Sequence, residues 1–97
     1  MRLAWSNVAR QELEEVRRYS TQTWGAPVAR RYLEDVRDAA KAAAERPERA
    51  RPLRDDFRIL RVRSHYLILH INPSLRRVTI ARILHVAMDI ERHLPKD

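Results

Sequence analysis

The chain reads as an α+β fold. A small antiparallel sheet, made of a short N-terminal strand and a later three-stranded meander, packs on an N-terminal two-helix hairpin, and a short C-terminal helix follows. Three observations carry this reading. Apolar residues recur at helical spacing from Val8 to Ala43, with charged residues between them. The single glycine, Gly25, stands beside Pro27 between two such stretches. Beyond Asp56, three short apolar runs alternate with turn signals.

Leu3-Ala4-Trp5 form the first strand, over residues 2–5. Ser6 is suited to cap a helix over 7–23, because its hydroxyl can accept an orphan N–H of the first turn. Ala9, Leu13, Val16 and Ser20 share one face of that helix, and Glu14 and Arg18 are spaced to pair on the other. Gly25 supplies a left-handed residue to close it. Pro27 fits the first turn of a second helix, over 27–46, where its missing N–H costs nothing. The inner stripe of this helix, Val28/Ala29, Tyr32/Leu33, Val36, Ala39/Ala40 and Ala43, ends in alanines that permit close approach. Pro47 stops it.

Residues 47–56 read as a polar connector bounded by Pro47 and Pro52. Strands follow at 57–62, 65–71 and 77–86. The two-residue loop Arg63-Ser64 pairs Leu60 with Leu67 and Val62 with His65. Leu60, Val62, Leu67, Leu69 and Ile71 then lie under the helices. Phe57, Ile59, Arg61, Tyr66, Ile68 and His70 face away. Asn72-Pro73-Ser74 is a turn. In the last strand Ala81 and Ile83 are placed inward, with Ile80, Arg82 and Leu84 outward. Asp89 caps a final helix, 89–94, ending at Pro95. The outer face collects Phe57, Ile59, Ile68, Ile80 and Leu84, rimmed by Arg58, Arg61, Arg63 and Arg82, and little chain remains to cover it. A bare apolar face is a seat for another protein.

Ninety-seven residues make one domain with a thin core. With no cysteine there is no disulfide and no thiolate metal site, which suits a reducing cytoplasm. His65, His70, His85 and His93 lack metal-ligand spacing, so no metal or cofactor is indicated. No apolar run has membrane length, and Met1–Ser6 lacks a signal-peptide core. Net charge is +7. Residues 1–45 carry 8 basic and 7 acidic groups, and residues 46–97 carry 12 and 6. The positive field therefore sits on the sheet and favours acidic partners.

The element order, together with Ala9-Arg10-Gln11-Glu12-Leu13-Glu14-Glu15-Val16, Trp24-Gly25, Ala29-Arg30-Arg31-Tyr32-Leu33, Phe57-Arg58, His65-Tyr66-Leu67-Ile68-Leu69 and Ile83-Leu84-His85-Val86-Ala87-Met88-Asp89-Ile90, resembles the ParE branch of the RelE/ParE toxin superfamily. The resemblance implies a cytoplasmic bacterial toxin of a type II toxin–antitoxin system, an inhibitor of DNA gyrase rather than an enzyme. It implies a small antitoxin whose acidic C-terminal segment folds onto the outer face or along the hairpin. Antitoxin contacts are then expected at Phe57, Ile59, Ile68, Ile80, Leu84, Arg58, Arg61 and Arg82, and target contacts at Arg63, Arg92 and His93. No membrane contact, and no direct nucleic-acid binding by the toxin alone, is expected. In the superfamily's ribosome-dependent mRNA interferases a basic residue usually follows the middle-strand tyrosine. Here Leu67 follows Tyr66, and the C-terminal stretch reads Met88-Asp89. A nuclease reading would rest on Arg61, Arg82 and His93. A third reading is a degenerate, non-toxic member.

Overall fold

The computed structural model describes residues 1–94. Strand β1 (Arg2–Trp5) leads into helices α1 (Asn7–Trp24) and α2 (Ala26–Glu45). A 3₁₀ turn (Pro47–Arg49) precedes strands β2 (Arg51–Arg54), β3 (Phe57–Val62), β4 (His65–Asn72) and β5 (Arg77–His85), and α3 (Ile90–His93) ends the described chain. Pro95, read as the helix stop, lies outside the described residues. The α+β class is the one expected, with two corrections to the sheet. It has five strands in the order β1-β5-β4-β3-β2, because part of the polar connector forms β2. It is also mixed: β1 runs parallel to β5, from Arg2 opposite Arg77 to Trp5 opposite Ile80.

Local chemistry explains the helical hairpin. Ser6 caps α1, its Oγ accepting the Ala9 N–H at 3.0 Å. Gly25 both closes α1 and opens α2; its φ of 91° and ψ of 163° suit glycine and strain any side-chain-bearing residue. Glu14 pairs with Arg17 rather than with Arg18. The buried stripe of α2 is Ala29, Tyr32, Leu33, Val36, Ala40, Ala43 and Ala44. The N-terminal amine donates to the Ala44 carbonyl at 3.1 Å, placing a positive charge at the negative end of the α2 dipole.

The hairpin covers one sheet face. Its core joins Ala9, Tyr32, Val36 and Ala40 to Val62, Leu67, Leu69, Val78, Ile80 and Ile83, with Leu60 and Ile71 at its border. The β3–β4 register is the one read from the Arg63-Ser64 loop, with Leu60 opposite Leu67 and Val62 opposite His65. The facing of β5 needs correction. Ile68 stands opposite Arg82 and Leu69 opposite Ile80, so Ala81 is an extra residue. This bulge reverses the alternation of β5. Ile80 therefore lies in the helix-side core rather than on the outer face, and Ala81 is not the inward residue of its neighbourhood.

One interaction closes the sheet's edge. β1 stops at Trp5, but β5 runs on and leaves unpaired backbone groups. Ser6 supplies its N–H to the Ile80 carbonyl at 3.0 Å and its hydroxyl to the Ala81 carbonyl at 2.8 Å. Glu12 accepts the Ile83 N–H at 2.9 Å and pairs with Arg82 at 2.8 Å. Arg82 also donates to the His93 carbonyl at 3.0 Å. Replacing Glu12 by Ala leaves a strand N–H and a guanidinium without their acceptor, so Glu12→Ala should lower stability by about 2 kcal/mol. That corresponds to about 10 °C in Tm for a domain this small. Glu14→Ala, which breaks only an exposed pair, should leave the melting curve nearly unmoved; calorimetry of both variants checks the contrast.

Candidate functional site

The outer sheet face is not bare. Ile59, Ile68 and Leu84 are 3%, 0% and 0% exposed and form a second core with Leu94. Leu53, Phe57, Tyr66 and Ile90 border it. The chain's own end seals this side: Asp89 caps α3 through the Glu91 N–H at 3.1 Å, and Ile90 and Leu94, one turn apart, face the sheet. The expectation of an open groove at Phe57, Ile59, Ile68, Ile80 and Leu84 is thereby corrected. Ile90 on α3 and Leu94 just after it join Leu53, Phe57 and Tyr66 around this cluster.

The arginine rim is also divided. Arg82 is held by Glu12, whose carboxylate raises its pKa further, and is not a free cation. Arg58 donates to the Ala50 carbonyl at 2.7 Å and clamps the 3₁₀ turn against β3. Arg61 is exposed, its Nε bonded to the Arg63 carbonyl at 2.8 Å. Arg63 pairs with Asp35 of α2 and lies over the Tyr32 ring, 5.2 Å from its centroid. Arg92 is exposed on α3, 3.7 Å from Asp89. His93 neighbours it and offers its carbonyl to Arg82. Arg63, on the α2 side of the sheet, is thus separated from Arg92 and His93, which sit on the α3 side.

Beside the scattered Met1, Val8 and Leu75, the exposed large apolar side chains gather near the tip of the helical hairpin. Tyr19, Trp24, Val28 and Met88 are 63%, 51%, 42% and 47% exposed. Tyr19, Trp24 and Met88 border a cleft of about 410 Å³ whose walls include Val16, Tyr32, His65, Ile83, His85 and Glu15, and Val28 lies on the other side of Trp24, beside Arg63. Its aromatic wall is ordered by stacking. Trp24 lies nearly parallel to Tyr32, with centroids 6.5 Å apart, and Tyr19 meets Trp24 edge-on at 5.9 Å. At the cleft floor, Tyr32 Oη accepts the Ser64 N–H at 3.1 Å and shares a 2.6 Å hydrogen bond with His65 Nδ1. The His65 and His85 rings stand 5.3 Å apart, edge to face. His85 Nδ1 accepts the Ala87 N–H at 3.1 Å. Among the described residues no three His, Cys, Asp or Glu side chains are grouped so as to hold a metal ion. Tyr32 was legible on the inner stripe of α2, but the His65–His85 pairing was not, because it depends on the bulge at Ala81 that shifts the β4–β5 register by one residue.

A two-helix hairpin laid on an open sheet, with a short helix behind it, is the fold of RelE/ParE toxins. The structure of the chromosomal ParDE toxin–antitoxin system from P. aeruginosa superposes with a TM-score of 0.78 at 19% identity, over 89% of this chain and 96% of that one. The RelBE2 toxin–antitoxin complex of Mycobacterium tuberculosis follows at 0.66 and 21% identity, over 87% and 95%. The isolated E. coli RelE toxin gives 0.63 at 14%, over 96% and 98%. In sequence, residues 3–90 match the family described as ParE toxin of type II toxin-antitoxin system, parDE, and the chain belongs to that family. Toxin ParE1 of Mycobacterium tuberculosis (strain CDC 1551 / Oshkosh) is 30% identical over 92 residues, covering 92% of this chain and 93% of that protein.

Burial, and then the neighbouring His85, hold the His65 imidazole below its ordinary pKa. The folded chain therefore resists a proton that the unfolded chain accepts. This part of the stability is complete above about pH 6.5 and is lost as the pH falls below it. Thermal melts from pH 8 to pH 5 should show a falling Tm, and His65→Gln should flatten that fall.

Proposed function

We propose that this type II toxin–antitoxin toxin blocks growth by binding DNA gyrase and is neutralised by a small cognate antitoxin. The observation that favours the gyrase reading over RNA cleavage is how Leu67 and Arg82 are placed. Leu67, where the nuclease branch has a basic residue, is 0% exposed in the helix-side core. Arg82, the cation best placed on β5 to stabilise a phosphorane, is occupied by Glu12 and the His93 carbonyl. A nuclease built on Arg61, Arg82 and His93 would have to break this tie.

The antitoxin is assigned to the hairpin tip, since the outer face is filled. A segment disordered alone would gain from burying apolar anchors among Tyr19, Trp24, Val28 and Met88. Its acidic groups would meet the positive field of the chain, whose net charge is +7. Arg63, on the flank of this tip beside Trp24 and Val28, lies within the same surface. The target contacts are proposed on the exposed side of α3, at Arg92 and His93.

The purified chain should inhibit gyrase supercoiling and trap cleaved DNA, and addition of the antitoxin should relieve both. A folded chain that leaves supercoiling untouched at high molar excess, while producing codon-site cleavages on translating ribosomes, overturns the gyrase reading in favour of the interferase. Trp24→Ala should weaken antitoxin binding by about thirtyfold, the loss typical of a buried aromatic anchor, with little change in Tm because Trp24 is half exposed. Isothermal titration with the antitoxin's C-terminal segment measures it.

A further inference from the structure

We infer that the β2–β3 end of the sheet is a binding site for a phosphodiester backbone, formed by Arg49, Arg51 and Arg61 around Tyr66. This goes beyond the gyrase reading and departs from the expectation that the toxin alone does not contact nucleic acid. These four residues, with Ile59 and Leu60, line a concavity of about 460 Å³. Arg49, Arg51 and Arg61 are exposed. Among the described residues the ion pairs are Glu14–Arg17, Asp35–Arg63, Glu12–Arg82 and Asp89–Arg92, and none engages these three arginines. Arg61 gives one N–H to a carbonyl, which leaves its charge uncompensated and its other donors available.

The parts suit a nucleotide chain. Guanidinium forks match phosphate oxygens in pairs. Tyr66, partly exposed beside Ile59, offers a ring for a sugar or base to lie against. Arg58, bonded to the Ala50 carbonyl, holds the 3₁₀ turn that carries Arg49 against the strand that carries Arg61. An acidic peptide fits this place less well. An extended segment would dock by adding a strand to β2, but Pro52 interrupts that edge and the ladder is irregular between Pro52 and Arg54. The exposed aromatic anchors Tyr19 and Trp24 are, moreover, at the hairpin tip.

DNA and RNA share the phosphodiester chemistry, and the test separates them. Fluorescence anisotropy with the full chain and same-sequence 20-mers of single-stranded DNA, RNA and duplex DNA should show binding at about 50 mM salt that weakens as salt rises. For three phosphate contacts on a single strand the log–log salt slope is about −2. Arg51→Ala with Arg61→Ala should weaken binding about tenfold or more and reduce that slope. Arg10→Ala with Arg37→Ala, which removes the same charge from exposed helix positions, should leave affinity within about twofold, the Tm of both double variants being checked first. If the alanine pair unfolds the chain, Arg51→Lys with Arg61→Lys should keep the fold and still lose affinity, because the forks are gone. Preference for DNA assigns the site to the DNA held by a topoisomerase, and preference for RNA assigns it to a transcript. No binding by any oligonucleotide, or equal losses from the sheet and helix pairs, overturns the site. A chain that inhibits supercoiling yet binds no oligonucleotide removes this inference and leaves the gyrase reading standing.

Discussion

A single carboxylate, Glu12, governs how the sheet meets everything around it. β5 outlasts β1 by several residues, and a strand edge left open beside a helix would hold unpaired N–H and C=O groups. Glu12 reaches from α1 to take the Ile83 N–H and the Arg82 guanidinium together. Arg82 passes the connection on to the His93 carbonyl, at the end of α3. A chain of contacts thus runs from the first helix, across the sheet edge, to the last one. It ties α1 to the edge of β5 and ties the end of α3 to the same strand, beside the second core that Ile90 and Leu94 complete.

The same contact explains why an arginine-rich sheet is less reactive than its composition suggests. Arg82 and Arg58 are structural, each spending its donors on groups that would otherwise be unsatisfied. Arg63 is drawn to α2 by Asp35 and by the Tyr32 ring. At the β2–β3 end Arg49, Arg51 and Arg61 form an exposed cluster around one concavity. The apolar surface available to partners is concentrated at the hairpin tip. Two separate faces can therefore engage two different kinds of molecule without competing for the same residues.

Much of this arrangement was legible in the amino-acid order. Helical spacing from Ala9 to Ala43, with Gly25 and Pro27 between, defined the hairpin. The two-residue Arg63-Ser64 loop dictated which side chains of β3 and β4 face the helices. Three features were not legible, each for a physical reason. The Ala81 bulge was hidden because Thr79-Ile80-Ala81-Arg82-Ile83 suits either parity until the pairing with Ile68 and Leu69 is known. β2 was hidden by Pro52 and its arginines, which are tolerated only because the strand lies at an edge. The closed outer face was hidden because α3 is one turn long, and Ile90 on it and Leu94 just after it gain their value from the cluster they complete. The parallel course of β1 follows from contacts 75 residues away, beyond the reach of any local pattern.

That last pairing governs when the protein can exist at all. Residues 2–5 leave the ribosome well before residues 77–80, and find their partner only after residue 80 has been made. Loop closure of this length is slow and resists formation of a stable half-molecule. During synthesis the emerging hairpin shows Tyr19 and Trp24 before the sheet beneath it is complete. A toxin built this way gains its complete sheet late, so the surface of its helical hairpin is on display before the fold that it belongs to is finished.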